Sequence, residues 1–105
     1  MVQESNKNLK IVKEFKKKIN LPDSKFIFFG SRAKGNFTKD SDFDIIVISD
    51  SFKNLPWHKR AVEFQLKWNH DFSLEILCFT NEEVNKLLKN RWGVVREAIS
   101  TGIEI

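Results

Sequence analysis

The sequence predicts an α/β fold (α+β) in which one small mixed β-sheet is flanked by helices. Segments with apolar residues every three or four positions, typical of amphipathic helices, alternate with short runs rich in β-branched and aromatic residues, typical of strands. The 105 residues can bury one core but leave little room for a second. Because no repeat, low-complexity tract or linker interrupts the chain, we expect a single domain over 1–105.

The first half of the chain predicts one helix followed by two strands. Four apolar residues recur at helical spacing near the N-terminus: Leu9, Val12, Phe15 and Ile19. They predict an amphipathic helix over about 8–20 with its lysines outward, preceded by a frayed polar start over 1–6. Strands are expected over about 25–29 and 42–49, joined by a loop that can hold one helical turn.

The second predicted strand is apolar on both faces. Side chains alternate along a strand, so Phe43, Ile45 and Val47 share one face. Ile46 and Ile48 share the other. A strand of this kind is covered on both sides. We therefore expect it to lie centrally in the sheet.

A helix, a third strand and the start of another helix follow. Pro56 is well placed to begin the first of these helices. Its apolar residues at helical spacing are Trp57, Ala61, Val62, Phe64, Leu66 and Trp68. The tryptophans could stack on a base, but this spacing favours a place in the core. The third strand is expected over about 71–79, and Thr80 with Glu83 has the spacing of a capping box.

The C-terminal part predicts helical segments and a short final strand. The helix after the capping box has a buried side made of Val84, Leu87 and Leu88. After a break at Asn90, a further helical stripe consists of Trp92, Val95 and Ile99. Gly102 is expected to end this helix, and 103–105 to form a short edge strand.

Charge limits the classes of partner. The net charge of +4 and the isoelectric point of about 9.3 suit an anionic partner without requiring one. Much of the excess comes from lysines of the first predicted helix: Lys7, Lys10, Lys13, Lys16, Lys17 and Lys18. We interpret them as a solvated helix face rather than a binding patch.

Cysteine content and hydropathy predict a cytoplasmic protein. Cys78 is the only cysteine, so an internal disulfide is impossible, and its apolar surroundings favour a place in the core. No apolar segment approaches the roughly 20 residues of a membrane span. The N-terminus also lacks the apolar stretch of a secretory signal.

The loop after the first predicted strand has the residue types of a phosphate site. At Gly30-Ser31, glycine lets backbone amides approach an anion, and serine adds a hydroxyl donor. Arg32 and Lys34 add positive charge, as phosphate contacts or as solvated loop cations. A P-loop is excluded, because the residue after Gly35 would have to be lysine and is asparagine.

Two carboxylates begin the second predicted strand. Asp42 and Asp44 are two residues apart, so their side chains would point to the same face. Two like charges side by side repel unless a positive group lies between them. A divalent metal opposite the Gly30-Ser31 bend fits this requirement, and the alternative is a pair of polar residues at a strand end.

These motifs resemble those of a known family. Gly30-Ser31, Gly35 and Ser41-Asp42-x-Asp44 are similar to the GS…G…SDxD motif of the nucleotidyltransferase superfamily that includes DNA polymerase β. The short chain resembles the minimal nucleotidyltransferase branch, often found beside a helical HEPN partner in prokaryotic toxin–antitoxin pairs. The resemblance covers 26–48 and continues more weakly over 72–83. It implies a polymerase β-like nucleotidyltransferase fold.

The resemblance also implies roles for individual residues. Asp42 and Asp44 would be catalytic and would hold two Mg²⁺ ions, while Gly30 and Ser31 would bind the β- and γ-phosphates of a nucleoside triphosphate. The family uses a third carboxylate, usually aspartate, on a later strand. Glu75 stands at the matching position, and its longer side chain moves the carboxylate outward. Asp71, at the strand entrance, is a less favoured substitute.

We therefore expect a magnesium-dependent nucleotidyltransferase that moves AMP from ATP to a hydroxyl. Little chain is left for an acceptor domain, so a HEPN-type protein modified on tyrosine, or another copy in a homo-oligomer, is expected to complete the site, with this chain as the antitoxin. A catalytically weak or inactive module that neutralises its partner by association is the alternative. A nucleic-acid binder using the lysine face is disfavoured because no recognised reading motif is present.

Overall fold

Six helices, four strands and one short 3-10 turn make up the chain over the residues that the computed structural model describes, 2–89 and 93–105. The helices are α1 (Val2–Ile19), α2 (Ser31–Lys34), α3 (Trp57–Arg60), α4 (Val62–Lys67), α5 (Asn81–Leu88) and α6 (Val94–Thr101). The strands are β1 (Ser24–Phe29), β2 (Phe43–Ser49), β3 (Leu74–Phe79) and β4 (Ile103–Glu104). The 3-10 turn, Asp50–Phe52, follows β2.

The strands form one mixed sheet in the order β3-β2-β1-β4. Strand β1 pairs antiparallel with both β2 and β4, whereas β2 and β3 run parallel. The predicted mixed sheet, the central place of β2 and the edge strand at the C-terminus are confirmed. In this register Asp44 lies opposite Phe29 on one side and Glu75 on the other.

Two hydrophobic clusters cover the two faces of the sheet. One includes Phe43, Ile45 and Val47 and packs against α1 and α4. The other includes Ile46 and Ile48 and packs against α5 and α6. The alternation of apolar residues along β2 therefore assigns its two faces as predicted. Cys78 is buried in the first cluster, and this burial raises the pKa of its thiol to about 12.

Several predicted boundaries are displaced at element starts. Helix α1 begins at Val2, so the frayed start expected over 1–6 was wrong for residues 2–6. This segment contains glutamine and glutamate, which are polar but good helix formers. Strand β2 begins at Phe43 and strand β3 at Leu74, so Asp42 and Asp71 both precede their strands. The predicted helical turn in the loop after β1 is α2.

The region predicted as one continuous helix from Pro56 is two short helices that meet at Ala61. The predicted buried stripe was too wide: Trp57 and Val62 are each 51% exposed and Leu66 is 80% exposed. The inward position is occupied instead by Arg60, which is buried. Its guanidinium donates to the carbonyls of Leu55 and Cys78 and to the Glu83 carboxylate, and these bonds offset the burial of its charge.

The C-terminal elements follow the sequence prediction closely. The capping box of Thr80 and Glu83 is present at the start of α5, and Gly102 ends α6, although with an extended rather than a left-handed backbone. Val95 is buried and Ile99 partly buried, whereas the predicted break at Asn90 and the core position of Trp92 lie outside the described residues. None of the helices in the described ranges has the length and apolar character needed to cross a membrane.

Candidate active site

Asp44 and Glu75 form a carboxylate pair across two parallel strands. They are register partners on β2 and β3, which places their side chains on the same face of the sheet. Burial raises the pKa of Asp44 to about 7, helped by the charge of Glu75, by a hydrogen bond between the two carboxyl groups and by the charge of Asp42. A proton shared between the two groups, or a cation, would relieve this repulsion.

Asp42 lies beside this pair but not within it. Its side chain is exposed, and it sits in the chain just before β2 begins. Its charge acts on Asp44, and also on Arg32, whose pKa is lowered chiefly by burial. Within residues 2–89 and 93–105, no three His, Cys, Asp or Glu side chains are grouped closely enough to form a preformed metal site. The three predicted carboxylates are therefore near one another without forming a closed ligand cage.

The bend at Gly30-Ser31 lies directly against the carboxylate of Asp44. Gly30 follows β1 with a φ of 80°, a backbone conformation that favours glycine. A Cβ atom at this position would overlap the Oδ2 atom of Asp44. Ser31 is the first residue of α2. The structure thus brings together the two halves of the predicted site, the glycine–serine bend and the acidic start of β2.

Arg32 is buried rather than exposed to a ligand. Only 3% of the residue is accessible. Its Nε atom donates to the carbonyl of Ser41 at 2.8 Å, and its Nη2 atom donates to those of Thr38 and Lys39. The guanidinium is thus bonded within the protein, and we do not include Arg32 among the proposed phosphate contacts.

Lys34 remains at the surface beside the bend. Its side chain is 47% exposed and forms a long ion pair with Glu97 of α6, with 3.9 Å between Nζ and Oε1. Both residues border a small cleft, about 100 Å³ in volume, between the end of β1 and α6, and Gly30 lines the same cleft. Lys34 is therefore placed next to any anion bound at the bend.

A model of the nucleotidyltransferase domain family matches residues 9–103, nearly the whole chain. The chain belongs to the nucleotidyltransferase domain family. The match spans the Gly30-Ser31 bend and the carboxylates Asp42, Asp44 and Glu75, and it confirms the resemblance to minimal nucleotidyltransferases that the GS and DxD motifs carry. The comparison with curated proteins gives no match.

The fold of this nucleotidyltransferase domain also occurs in a solved structure. A crystal structure of a "putative nucleotidyltransferase" from Sulfolobus solfataricus is similar with a TM-score of 0.65. The likeness covers 81% of this chain and 78% of that chain, at 20% sequence identity. At this identity the likeness shows a shared fold and nothing finer.

Sequence reasoning missed one polar residue that contributes to the site, Asn8. It is 4% exposed and lies on the buried side of α1, where its side chain exchanges hydrogen bonds with Arg32. A signal was present, because Asn8 precedes Val12 by four residues and so continues the helical apolar stripe. A polar residue at a buried position needs a partner, and here the partner is the loop arginine.

Proposed function

We propose that this nucleotidyltransferase domain transfers AMP from ATP to a hydroxyl in the presence of Mg²⁺. The observation that carries the proposal is the contact between the Gly30 bend and Asp44, whose carboxylate is paired with Glu75. A bend able to approach phosphate and a cluster of carboxylates thereby share one position at the end of the sheet. Any ligand bridging them would need both anionic oxygens and a cation.

The donor chemistry of the site fits magnesium. Mg²⁺ prefers carboxylate oxygens and keeps several waters, so it does not need a closed protein cage. Asp42, Asp44 and Glu75 would hold it. Burial is the main cause of the raised pKa of Asp44 and the neighbouring carboxyl groups add to it, so a bound cation would favour the ionised carboxylate. By family resemblance we propose two ions. When bound, they would neutralise charge that builds on the phosphate oxygens during the reaction.

The chain's own residues would orient ATP and accept a proton. The acceptor oxygen bonds to the α-phosphorus, the bond from that phosphorus to the bridging oxygen breaks, and pyrophosphate leaves. The proton of the acceptor hydroxyl passes to a carboxylate of the Asp44–Glu75 pair, which lies on the face where the bend approaches. Ser31 and Lys34 would contact the leaving phosphates.

The acceptor that we propose is a tyrosine hydroxyl on a HEPN-type partner, with this domain acting as the antitoxin. This rests on the resemblance to minimal nucleotidyltransferases. Three large apolar side chains on α3 and α4 are exposed, Trp57, Val62 and Leu66, and such residues support association with another protein. A homo-oligomer that buries the same side chains is the alternative.

Transfer of label from α-³²P-ATP tests the proposal. The protein is incubated with labelled ATP, Mg²⁺ and a candidate partner, and labelled partner is measured. We expect labelling that requires Mg²⁺ and is lost in Asp44→Asn. Asp40→Asn is the matched control, because it removes the same charge from an exposed position in the adjacent loop. Equal labelling by Asp44→Asn and the unmodified protein would contradict the assignment.

A binding module without catalysis is the second candidate. Two observations favour it: Glu75 replaces the aspartate usual in the family, and the described carboxylates form no preformed metal site. In this case the double variant Asp42→Asn, Asp44→Asn would neutralise the partner as well as the unmodified protein does. A decayed enzyme is the remaining outcome. It would show no label transfer until Glu75→Asp restored it.

A further inference from the structure

We propose that Arg32 is a positioning residue that fixes the loop before Asp42 and thereby sets the distance between Asp42 and the Gly30 bend. This rests on the proposed function, because it assigns the residue that aligns the two halves of that site. Arg32 lies one residue after Ser31, so it begins on the phosphate side of the site. Its guanidinium ends on the carboxylate side.

The hydrogen bonds of Arg32 converge on the segment immediately before Asp42. Nε donates to the carbonyl oxygen of Ser41 at 2.8 Å. Nη2 donates to the carbonyl oxygens of Thr38 and Lys39 at 3.3 and 3.2 Å. Three carbonyls out of four consecutive residues are thus held by one planar group. A guanidinium can do this because its donors have a fixed fork geometry, whereas an ammonium is a point charge.

Aromatic rings fix the plane of the same guanidinium. Its Cζ atom lies 4.9, 4.6 and 4.5 Å from the ring centroids of Phe37, Phe43 and Phe72, respectively. These rings come from the loop, from the start of β2 and from the segment before β3. Asn8 completes the enclosure from α1, since its Oδ1 atom accepts from Nη1 and its Nδ2 atom donates to the Arg32 carbonyl, both at 3.4 Å.

The burial of Arg32 distinguishes this role from phosphate binding. A phosphate contact needs an accessible guanidinium, and this residue is 3% exposed. A phosphate contact would also tolerate lysine in part, since lysine keeps the charge. A positioning role would not tolerate it, because lysine cannot hold three carbonyls in one plane. Arg32→Lys and Arg32→Gln are therefore expected to behave alike.

Arg60 provides a matched control at the other end of the sheet. It is 9% exposed, and its Nε atom donates to the carbonyl of Leu55 at 2.9 Å. Its Nη1 atom donates to the carbonyl of Cys78 and to Glu83, and its Cζ atom lies over the rings of Phe52 and Trp57. Arg60→Gln thus removes a similarly buried and stacked guanidinium. It leaves the Asp42 loop untouched.

Two measurements test the proposal. The first is amide hydrogen exchange of the ligand-free protein, read at Thr38, Ser41 and Phe43, whose backbone amides are hydrogen-bonded. We expect faster exchange there in both Arg32 variants and unchanged exchange in Arg60→Gln. The second is the Mg²⁺ concentration that gives half-maximal ATP binding. We expect it to rise about tenfold or more in both Arg32 variants and to stay unchanged in Arg60→Gln.

The outcomes separate this inference from the proposed function. If ATP binding by the unmodified protein does not depend on Mg²⁺, the proposed function fails, and the exchange comparison alone decides the role of Arg32. The positioning role would be overturned if the amides of Thr38, Ser41 and Phe43 exchanged at the same rate in Arg32→Gln as in Arg60→Gln. The positioning role would also be overturned if Arg32→Lys needed no more Mg²⁺ for ATP binding than the unmodified protein does, because the positive charge alone would then suffice.

Discussion

Asp44 makes the stability of the domain depend on pH. The folded state raises the pKa of this carboxyl from 3.8 to about 7, chiefly through burial. Between those values the folded state binds more protons than the unfolded state. The free energy of unfolding therefore falls as pH rises from about 4 to 7 and levels off above that range. The ionised carboxylate of Asp44 lowers the free energy of unfolding. Replacing it with a neutral amide therefore tests this pH dependence directly.

Asp44→Asn should stabilise the ligand-free domain at pH 8 and have a smaller effect at pH 4. Because the side chain is partly solvated, we expect a gain on the order of 1 kcal/mol, well below the full linkage value. Urea unfolding at both pH values measures it. Asp40→Asn, which lies in the exposed loop, is expected to change stability by less than about 0.5 kcal/mol. A loss of stability in Asp44→Asn at pH 8 would contradict this account of the pKa.

Gly30→Ala should damage both stability and the site. The residue has a φ of 80°, and the added Cβ would overlap the carboxylate of Asp44. We expect a loss of about 1–3 kcal/mol in the free energy of unfolding, together with weaker Mg²⁺-dependent ATP binding. Gly35→Ala separates the two causes. Gly35 also has a positive φ, of 91°, but it is exposed, so alanine there should reduce stability while preserving ATP binding. Equal ATP affinity in both variants would contradict the proposed contact.

At the scale of elements, the capping box at α5 joins two parts of the chain. The hydroxyl of Thr80 accepts from the Glu83 amide, and Glu83 Oε1 accepts from the Thr80 amide and from Arg60. The hydrogen bond from Arg60 is the largest of the interactions that hold the pKa of Glu83 below its ordinary value. The start of α5 is thus stabilised by its own capping box and by a bond from Arg60 at the end of α3.

Thr80→Ala should destabilise the domain without affecting its ligand. Loss of the N-cap hydroxyl costs about 1 kcal/mol. The Arg60–Glu83 ion pair stays intact in this variant. The stability lost in Thr80→Ala should therefore be nearly the same at pH 5 and at pH 8. Chemical unfolding measures the change, and ATP binding is expected to match that of the unmodified protein. Thr101→Ala in α6 is the control, because its exposed hydroxyl donates to the carbonyl of Glu97, one turn earlier in the same helix.

The elements that sequence predicted best are those with one dominant local cause. The apolar alternation of β2, the capping box at Thr80 and the spacing of Leu9, Val12 and Phe15 each specify a structure without distant partners. The helix after Pro56 was predicted less well, because its inward position is held by Arg60. That burial depends on Glu83 and on two backbone carbonyls, and no local pattern indicates such a partnership.

At the scale of the molecule, the site could be predicted in part because topology places its residues together. Antiparallel pairing of β1 with β2 brings the end of one to the start of the other, and parallel pairing adds Glu75 from β3. The motif spacing predicted that the Gly30-Ser31 bend faces the acidic start of β2, and the contact of Gly30 with Asp44 agrees with it, whereas Glu75 was assigned from the family resemblance. It could not predict that Arg32 is buried, because three aromatic rings from separate segments enclose it.

The proposed ligand site lies at one end of β2, so a thermal unfolding experiment can distinguish effects on ligand binding from effects on the stability of the whole domain. A ligand that binds only the folded state at 100 times its dissociation constant adds about 2.7 kcal/mol, or roughly 10 °C in Tm for a domain of this size. We expect ATP with Mg²⁺ to produce such a rise and chelation of Mg²⁺ to remove it. The rise should be absent in Asp44→Asn, although that variant is the more stable one without ligand at pH 8.

Ile48→Ala is the complementary variant. Ile48 is buried at the opposite end of β2 from Asp44, where it pairs with Lys25 and Phe79. Alanine there should lower the free energy of unfolding by about 2–5 kcal/mol through lost packing, and Tm should fall accordingly. The increment from ATP with Mg²⁺ should nevertheless persist, because the bend and the carboxylates are unchanged. If Ile48→Ala is less stable but its Tm still rises with ATP and Mg²⁺, while Asp44→Asn is more stable but shows no rise, ligand binding is assigned to the start of β2. The opposite pattern would place the ligand elsewhere in the fold.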